Sequence, residues 1–325
     1  MKYHLSATCL PSLRQGRSRE RTISRQLMIA GNEGILVVDK ATGPTSHDVV
    51  AMARRTLQLR RIGHCGTLDP LASGVLVLCL GPMTRLSDWI SRGEKEYTAA
   101  LRLGATSSTD DAQGEIRPVV ETIPSLGQIE HAMGSFRGLI EQVPPAYSAV
   151  KVDGVRSYKR ARRNEDVELA ARQIRVDRFE VVEYQPPCLR VRVECGKGTY
   201  IRSLARDLGA ALGCGAYVEE LRRLRIGTMK AENGVGLETL RAGDDEGALQ
   251  AALIEPRLAL RGILEPLDIE PLAARTFAHG QPVTADALPD QERAVFSSGR
   301  FLGIGRTGEG QVQPAKVFAA PEAIA

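Results

Sequence analysis

The segment GVLVLCL, residues 74–80, constrains the fold more than any other part of the sequence. Its apolar residues do not alternate with polar ones, which is typical of a strand buried inside a sheet. The preceding residues, RIGHCGTLDPLAS, contain two glycines and an Asp-Pro pair, which favour a turn. Since Pro70 restricts the backbone of Asp69, the sequence predicts a turn that presents Asp69 at the start of a rigid strand.

Strand-like and helix-like patterns mix along the rest of the chain and predict an α+β fold. From about residue 262 short β-like runs and glycine turns predict a separate small β-rich domain. We expect an extension at 1–27 that is disordered or, because Met28 precedes the first clear element, not translated. A large domain at 28–258 and a small domain at 259–325 are expected to follow it. The predicted elements are strands at 34–40, 74–80, 95–104, 173–184, 189–195 and 221–227, helices at 47–59 and 127–137 and in 200–213, and a helical acidic bridge at 240–258.

Composition narrows the class of protein. The six cysteines form no CxxC pair, and in a chain of 325 residues they indicate reduced thiols of a cytoplasmic protein. No stretch of about 18 apolar residues occurs, so no membrane partner is expected. The sequence also lacks GxxxxGK[ST], a GxGxxG after a strand, GxSxG and HExxH. Nucleotide hydrolysis, dinucleotide redox chemistry and zinc hydrolysis therefore have no motif to support them.

Charge is unevenly spread along the chain. Residues 151–230 carry 18 Lys and Arg against 11 Asp and Glu, whereas residues 231–325 carry 8 against 14. A basic middle suits a polyanionic partner. Within it, the side chains predicted to contact RNA phosphates are Lys151, Arg156, Lys159 and Arg160. The alternative is a solvated helix face.

Several single residues have both a structural and a chemical interpretation. Asp69 is either a turn residue or a carboxylate nucleophile or base. Arg202 is either a surface residue or a guanidinium that grips this carboxylate in a bidentate pair. Tyr97 and Tyr200 either pack in the core or stack on an unstacked base. His64 is either structural or a contact for a phosphate or a splayed nucleotide.

Five motifs, taken together, resemble those of TruB-type tRNA pseudouridine synthases over residues 34–227. In chain order they are GILVVDKATGPTSHDVV, RIGHCGTLDPLASGVLVLCLG, KEYTAALRLGATSSTDDAQGE, VPPAYSAVKVDGVRSYKRAR and GKGTYIRSLARDLGAALGCGAYVEELRRLRIG. The segment GRFLGIGRTGEGQVQPAKVF is similar to the small PUA-like RNA-binding domain of that family, a weaker match. Arg61, Cys65 and Thr67 are mild departures from the aspartate motif.

The resemblance implies that 28–258 is an α+β catalytic domain on a mixed, mainly antiparallel sheet, and that 259–325 is a β-rich PUA-like RNA-binding domain. It also implies that a flexible insertion at about 145–173 closes over the RNA. It implies isomerisation of uridine 55 in the T loop of tRNA without a metal or cofactor. One chain carries the motifs of a full site, so a monomer is expected. The implied site residues are Asp69 as the essential carboxylate, Arg202 as its partner, Tyr97 as the stacking residue, Tyr200 as a second active-site tyrosine, His64 in the space of the flipped nucleotide, Leu221 in an apolar pocket, and Lys40 in a structural or RNA-side role.

Base flipping explains why these residue types belong together. A uridine stacked in a folded loop must leave the stack before chemistry, at a cost of a few kcal/mol. Stacking on Tyr97 would offset about 1–3 kcal/mol of that cost. Asp69 could then attack C1′, act as a base at C2′, or attack C6 of the base. The same scaffold could also act on another RNA, or bind and fold RNA without catalysis.

Overall fold

The computed structural model describes residues 33–120, 122–148, 150–152, 154–157, 160, 163, 165, 169–286 and 288–321. The predicted extension at 1–27 lies outside the described residues. The strands are β1 (Gly34–Lys40), β2 (Ile62–Cys65), β3 (Ser73–Leu80), β4 (Lys95–Leu103), β5 (Ala105–Ser107), β6 (Ile116–Pro118), β7 (Gly138–Gln142), β8 (Lys151–Val152), β9 (Val155–Arg156), β10 (Arg172–Gln185), β11 (Cys188–Cys195), β12 (Ala216–Ile226), β13 (Met229–Lys230), β14 (Val235–Gly236), β15 (Leu253–Ile254), β16 (Glu265–Asp268), β17 (Val283–Thr284), β18 (Gln291–Ser297), β19 (Arg300–Gly308) and β20 (Gln311–Val317). The helices are α1 (Ser46–Thr56), α2 (Ser87–Ile90), α3 (Leu126–Met133), α4 (Ile201–Ala211), α5 (Leu237–Ala242), α6 (Glu246–Ala251), α7 (Pro256–Ala259) and α8 (Pro271–Ala278), with 3-10 turns at Gly81–Leu86, Gly134–Phe136 and Ala231–Asn233.

The large sheet has the strand order β14-β1-β3-β12-β4-β11-β10-β7 along its main path. β1 pairs with β14 in parallel, and β3 pairs with β12 in parallel. The other pairs along this path are antiparallel. This mixed, mainly antiparallel sheet with helices confirms the predicted α+β class.

The central strand β3 is covered on both faces, as its apolar sequence predicts. Leu76 and Leu78 belong to the main core, which α1, α3 and α4 help to cover. Val75 and Val77 belong to a second core on the opposite face, which also contains side chains of α2 and of the C-terminal sheet. Burial on both faces makes β3 a rigid support for the turn that precedes it.

A second sheet occupies the C-terminal part of the chain, in the order β16-β18-β19-β20-β17. This sheet contacts α2, where the indole Nε1 of Trp89 donates to Glu292 at 3.0 Å. Arg92 forms an ion pair with the same carboxylate at 2.8 Å. The first strand of this sheet begins at Glu265, and the domain boundary at 258/259 stays a prediction. Among the described residues, no helix is long and apolar enough to cross a membrane.

Some predicted boundaries differ from those observed. α1 ends at Thr56 rather than near residue 59, because Gln58 adopts a φ of 52° that a helix does not allow. β12 begins at Ala216, since its pairing with β4 extends over the residues before 221. The predicted acidic bridge is divided into α5, α6 and α7, and Gly243 in the left-handed conformation ends the first of them.

Candidate active site

Asp69 lies in the connection between β2 and β3, where the chain makes a tight turn. The backbone N–H of Ala72 donates to the carbonyl of Asp69 at 3.1 Å and closes this turn. Pro70 takes the second position of the turn, for which its fixed φ is suited. The Asp-Pro pair therefore fixes the backbone that carries the carboxylate.

The start of α1 anchors the same turn from the side. The hydroxyl of Ser46 accepts from the N–H of Leu68 and donates to the Leu68 carbonyl, both at 2.9 Å. The N–H of Gly43 donates to the carbonyl of Pro70 at 2.8 Å. These bonds hold the backbone on both sides of Asp69, and none of them uses its side chain.

Arg202, in the first turn of α4, connects two carboxylates. One terminal nitrogen lies 2.8 Å from Oδ2 of Asp69, and the other lies 3.5 Å from Oδ2 of Asp111. The side chains of Arg202 and Asp111 are each 5% exposed, whereas Asp69 is 35% exposed. The terminal nitrogens also donate to the carbonyls of Thr109 and Tyr147, at 3.1 and 2.9 Å. Asp69 is therefore gripped by one nitrogen, not by two, because the second serves Asp111 and Thr109.

The sequence interpretation missed Asp111, although a signal was present. Arg202 and Arg206 are four residues apart on α4 and so lie on one helix face. Opposite them, Asp110 binds Arg206 at 3.1 Å while Asp111 faces Arg202. Burial raises the pKa of Asp110, and the positive charge of Arg206 opposes this effect. The two adjacent aspartates of the polar loop thus each face one of the two arginines on this side of α4.

Tyr97 and Leu221 lie in the sheet floor next to this turn. Tyr97 on β4 is the cross-strand neighbour of Arg223, and Leu221 on β12 is the neighbour of Ala99. Tyr97 and Leu221 are both buried in the main core. Burial raises the pKa of the Tyr97 hydroxyl. The Tyr97 ring is therefore almost closed to solvent in this structure.

Lys40 ends β1 close to the aspartate turn. Its Nζ is buried and donates to the carbonyls of Ala41 and Pro44, at 2.9 and 3.0 Å. Burial lowers the pKa of Lys40 to about 8, and the negative charge of Asp69 opposes this decrease. Its burial favours the structural role over the RNA-side role.

His64 and Tyr200 lie at the ends of different elements. The His64 ring, on β2, meets the His47 ring edge-on at 5.2 Å. Tyr200 precedes α4, and its backbone N–H and carbonyl both bond the side-chain amide of Gln142, at 2.9 and 3.1 Å. The guanidinium of Arg172 lies over the Tyr200 ring at 5.0 Å. Tyr200 is therefore fixed through its main chain.

The predicted phosphate contacts are only partly described. The backbones of Lys151 and Arg156 pair in the small β8–β9 hairpin, and their side chains lie outside the described residues. Lys159 lies outside them altogether. Arg160 donates from Nε to Glu165 at 3.0 Å.

An open cavity of about 710 Å³ is lined by Pro70, the neighbour of Asp69 in the chain, but not by Asp69, Tyr97 or Arg202. Leu221, Gln113, Arg190 and Arg222 also line it. This volume is within the range of small-molecule sites. The cavity gives an approach to the aspartate turn that mixes apolar and charged side chains.

Comparison with known families gives three consecutive matches. Residues 54–201 match the TruB family pseudouridylate synthase (N terminal domain). Residues 202–270 match the tRNA pseudouridylate synthase B C-terminal domain, and residues 266–318 match Pseudouridine synthase II TruB, C-terminal.

Relatives in two bacteria are similar over most of their length. The tRNA pseudouridine synthase B of Pseudomonas aeruginosa (strain UCBPP-PA14) is 40% identical over 292 residues, 88% of this chain and 95% of that protein. The protein of the same name from Ruegeria pomeroyi (strain ATCC 700808 / DSM 15171 / DSS-3) is 42% identical over 293 residues, 89% of this chain and 96% of the relative.

Two solved structures are similar in three dimensions. The Cbf5-Nop10-Gar1 complex contains a chain with a TM-score of 0.73 and 28% identity, over 92% of this chain and 89% of that one. An H/ACA RNP bound to a substrate RNA containing 2'-deoxyuridine contains a chain with a TM-score of 0.70 and 26% identity, over 90% and 87%.

Proposed function

The chain belongs to the TruB family of pseudouridylate synthases, and we propose that it isomerises uridine 55 in the T loop of tRNA to pseudouridine with Asp69 as the reacting carboxylate. The observation that carries the role of Asp69 is its 2.8 Å contact with Arg202. This contact orients a partly exposed carboxylate in a turn whose Pro70 lines an open cavity.

The reaction is an isomerisation in which atoms and electrons balance within one nucleotide. The bond between C1′ and N1 breaks, the uracil turns, and a bond forms between C1′ and C5. C5 loses a proton and N1 gains one. Asp69 supports this sequence by attack at C1′, by removing a proton at C2′, or by attack at C6, and all three routes need a carboxylate fixed close to the nucleotide.

Arg202 orients the Asp69 carboxylate through an ion pair. A terminal nitrogen lies 2.8 Å from Oδ2, and among the described residues no hydrogen bond engages either carboxylate oxygen. A cation in the first turn of a helix is disfavoured by the helix dipole, and the two carboxylates offset this effect. Arg202 therefore holds Asp69 beside its guanidinium, while the 35% exposure of the carboxylate leaves it accessible to the nucleotide.

The remaining predicted residues bind the substrate in this proposal. Tyr97 stacks on the flipped base and Leu221 packs beside it, which offsets part of the cost of unstacking. Tyr200 and His64 lie along the path of the nucleotide. The T stem-loop lies against the basic segment that contains Lys151, Arg156, Lys159 and Arg160, whose phosphate contacts supply affinity. One chain supplies Asp69, Arg202 and Tyr97, which supports action as a monomer. The cytoplasm is the proposed compartment, because tRNA is the substrate and the described cysteines are free thiols.

The test is pseudouridine formation in an unmodified tRNA transcript, mapped by nucleotide. Wild type, Asp69→Asn and the control Asp88→Asn, at an exposed position of α2, are compared after their tRNA binding has been measured. We expect product at position 55 from wild type and Asp88→Asn, and none from Asp69→Asn.

Other outcomes contradict separate parts of the proposal. A wild type that binds tRNA without forming product refutes the tRNA reaction and favours another RNA or a role in RNA binding. Equal product from Asp69→Asn keeps the reaction and excludes Asp69 as its catalyst.

A further inference from the structure

Arg223 ties together the two ends of the segment that carries Asp69. Its side chain is among the largest that are fully buried. Nε donates to the carbonyl of Val75 at 2.8 Å, and the terminal nitrogens donate to the carbonyls of Gly66 and Thr67 at 3.1 and 3.3 Å. Asp69 lies between these acceptors in the chain. One planar guanidinium therefore sets how far apart the two ends of the segment lie.

The backbone of Arg223 contacts the same segment. Gly74 pairs with Arg223 in parallel between β3 and β12. Gly74 has a φ of +100°, and a Cβ built on it would lie 2.0 Å from the Arg223 carbonyl oxygen. Only glycine permits this approach. Arg223 thus holds the segment through its side chain and through its main chain.

The charge of Arg223 distinguishes it from the other arginines of β12. Arg222 forms an ion pair with Asp39 at 2.8 Å, and Arg225 forms one with Glu96 at 2.8 Å. No ion pair in the described part of the chain includes Arg223. A buried guanidinium without a carboxylate is costly, and an apolar side chain would fill the same volume at lower cost. Simple packing therefore does not explain an arginine here, whereas the need to hold three carbonyls does.

Arg223 also faces the stacking residue. It is directly opposite Tyr97 in the register of β12 and β4. We propose that Arg223 is a positioning residue for the isomerisation, which fixes the Asp69 segment relative to Tyr97. The carboxylate and the base stacked on Tyr97 then meet at a defined distance. This inference rests on the proposed function and adds a residue that touches neither the nucleotide nor the reacting atoms.

A positioning role predicts a loss of rate without a loss of affinity. tRNA affinity comes mainly from phosphate contacts, whereas a displacement of about 1 Å at reacting groups costs about 100-fold in rate. Arg223→Lys keeps the charge but loses the planar fork. We expect its single-turnover rate constant for pseudouridine formation to fall about 100-fold while the tRNA Kd changes by less than about threefold.

The matched control is Arg225→Lys, the same substitution two residues further along β12 at a side chain that bonds carboxylates on the other side of the strand. Wild type and both variants are compared by single-turnover kinetics, tRNA filter binding and thermal unfolding. The kinetics are measured below the unfolding midpoint of every variant. We expect Arg225→Lys to keep the wild-type rate constant.

Each contrary outcome overturns the positioning role. The first is a folded Arg223→Lys protein with nearly the wild-type rate constant. The second is an Arg223→Lys protein that loses only tRNA affinity. The third is a decrease in the rate constant of Arg225→Lys as large as that of Arg223→Lys. If Arg223→Lys does not fold, the same measurements are made on Arg223→Gln, whose neutral amide can still donate to the carbonyl of Val75. If neither variant folds, Arg223 is needed for folding alone and the positioning role is rejected. Absence of product from wild type is a failure of the proposed function, and the wild-type arm shows it independently of the variants.

Discussion

Replacing Arg202 with methionine removes the cation between Asp69 and Asp111. The two carboxylates are affected to different degrees. Asp69 is 35% exposed, so water compensates most of what it loses. Asp111 is 5% exposed and keeps a bond from the hydroxyl of Thr109 at 2.6 Å, but it has no other cation within ion-pair distance among the described residues. The cost of the substitution therefore arises mainly at Asp111.

Its magnitude follows from the burial of Asp111. Removing one partner of a buried ion pair costs about 3–5 kcal/mol. The 3.5 Å separation between Arg202 and Asp111 is long, and the Thr109 bond persists. We therefore expect a loss near the lower limit, about 3 kcal/mol of the free energy of unfolding. For a chain of this size that corresponds to a decrease of roughly 4–5 °C in the unfolding temperature.

Thermal unfolding of four proteins tests this reasoning: wild type, Arg202→Met, Asp111→Asn and the double variant. Asparagine removes the unpaired charge and can still accept the Thr109 hydrogen bond. The double variant should therefore recover at least about half of the stability lost in Arg202→Met. If Arg202→Met lowers the unfolding temperature by less than about 3 °C, or if the double variant is no more stable than it, the buried charge of Asp111 is not the source of the cost.

Two further predictions concern the support of the site. Gly74→Ala should lower the free energy of unfolding by more than about 3 kcal/mol, because the new methyl group meets the Arg223 carbonyl at 2.0 Å. Gly299→Ala, at a φ of +77° with nothing within 4 Å, should cost only about 1 kcal/mol in the same denaturation series. Burial lowers the pKa of Lys95 to about 8 from 10.5, so the unfolded chain binds more protons between these values and raising the pH through this window favours the folded state. The stability of wild type relative to Lys95→Met should therefore rise from pH 8 to pH 10.5, and a constant or falling difference between their unfolding curves would contradict the burial effect.

The regular elements near the site could be predicted because their signals are local. GILVVDK and GVLVLCL each become a strand of the large sheet. Thr45 caps α1 through a reciprocal pair of hydrogen bonds with Asp48. The contact between Asp69 and Arg202 has no local signal, because it joins a turn and a helix that are far apart in the chain. Motif resemblance predicted this pair, but not that Arg202 also contacts Asp111.

Arg223 shows why other parts of the site escape sequence reasoning. In LRRLRIG the three arginines are indistinguishable by type and spacing. In the structure, an irregularity in the pairing of β12 with β4 falls between Arg223 and Arg225. Such a bulge changes which face the following side chains occupy. It directs Arg225 toward the carboxylates of Glu96 and Glu194, while Arg223 reaches the backbone of the aspartate segment.

The place of β12 in the sheet has a consequence for synthesis of the chain. β12 lies between β3 and β4, although both of these strands leave the ribosome long before it. Until β12 has been made, one edge of β4 has no strand to pair with. The Arg223 side chain, which holds the Asp69 segment, is also missing until then. Pairings between distant segments form late. The support of the Asp69 turn is therefore complete only after β12 has been made, which is about two thirds of the way along the chain.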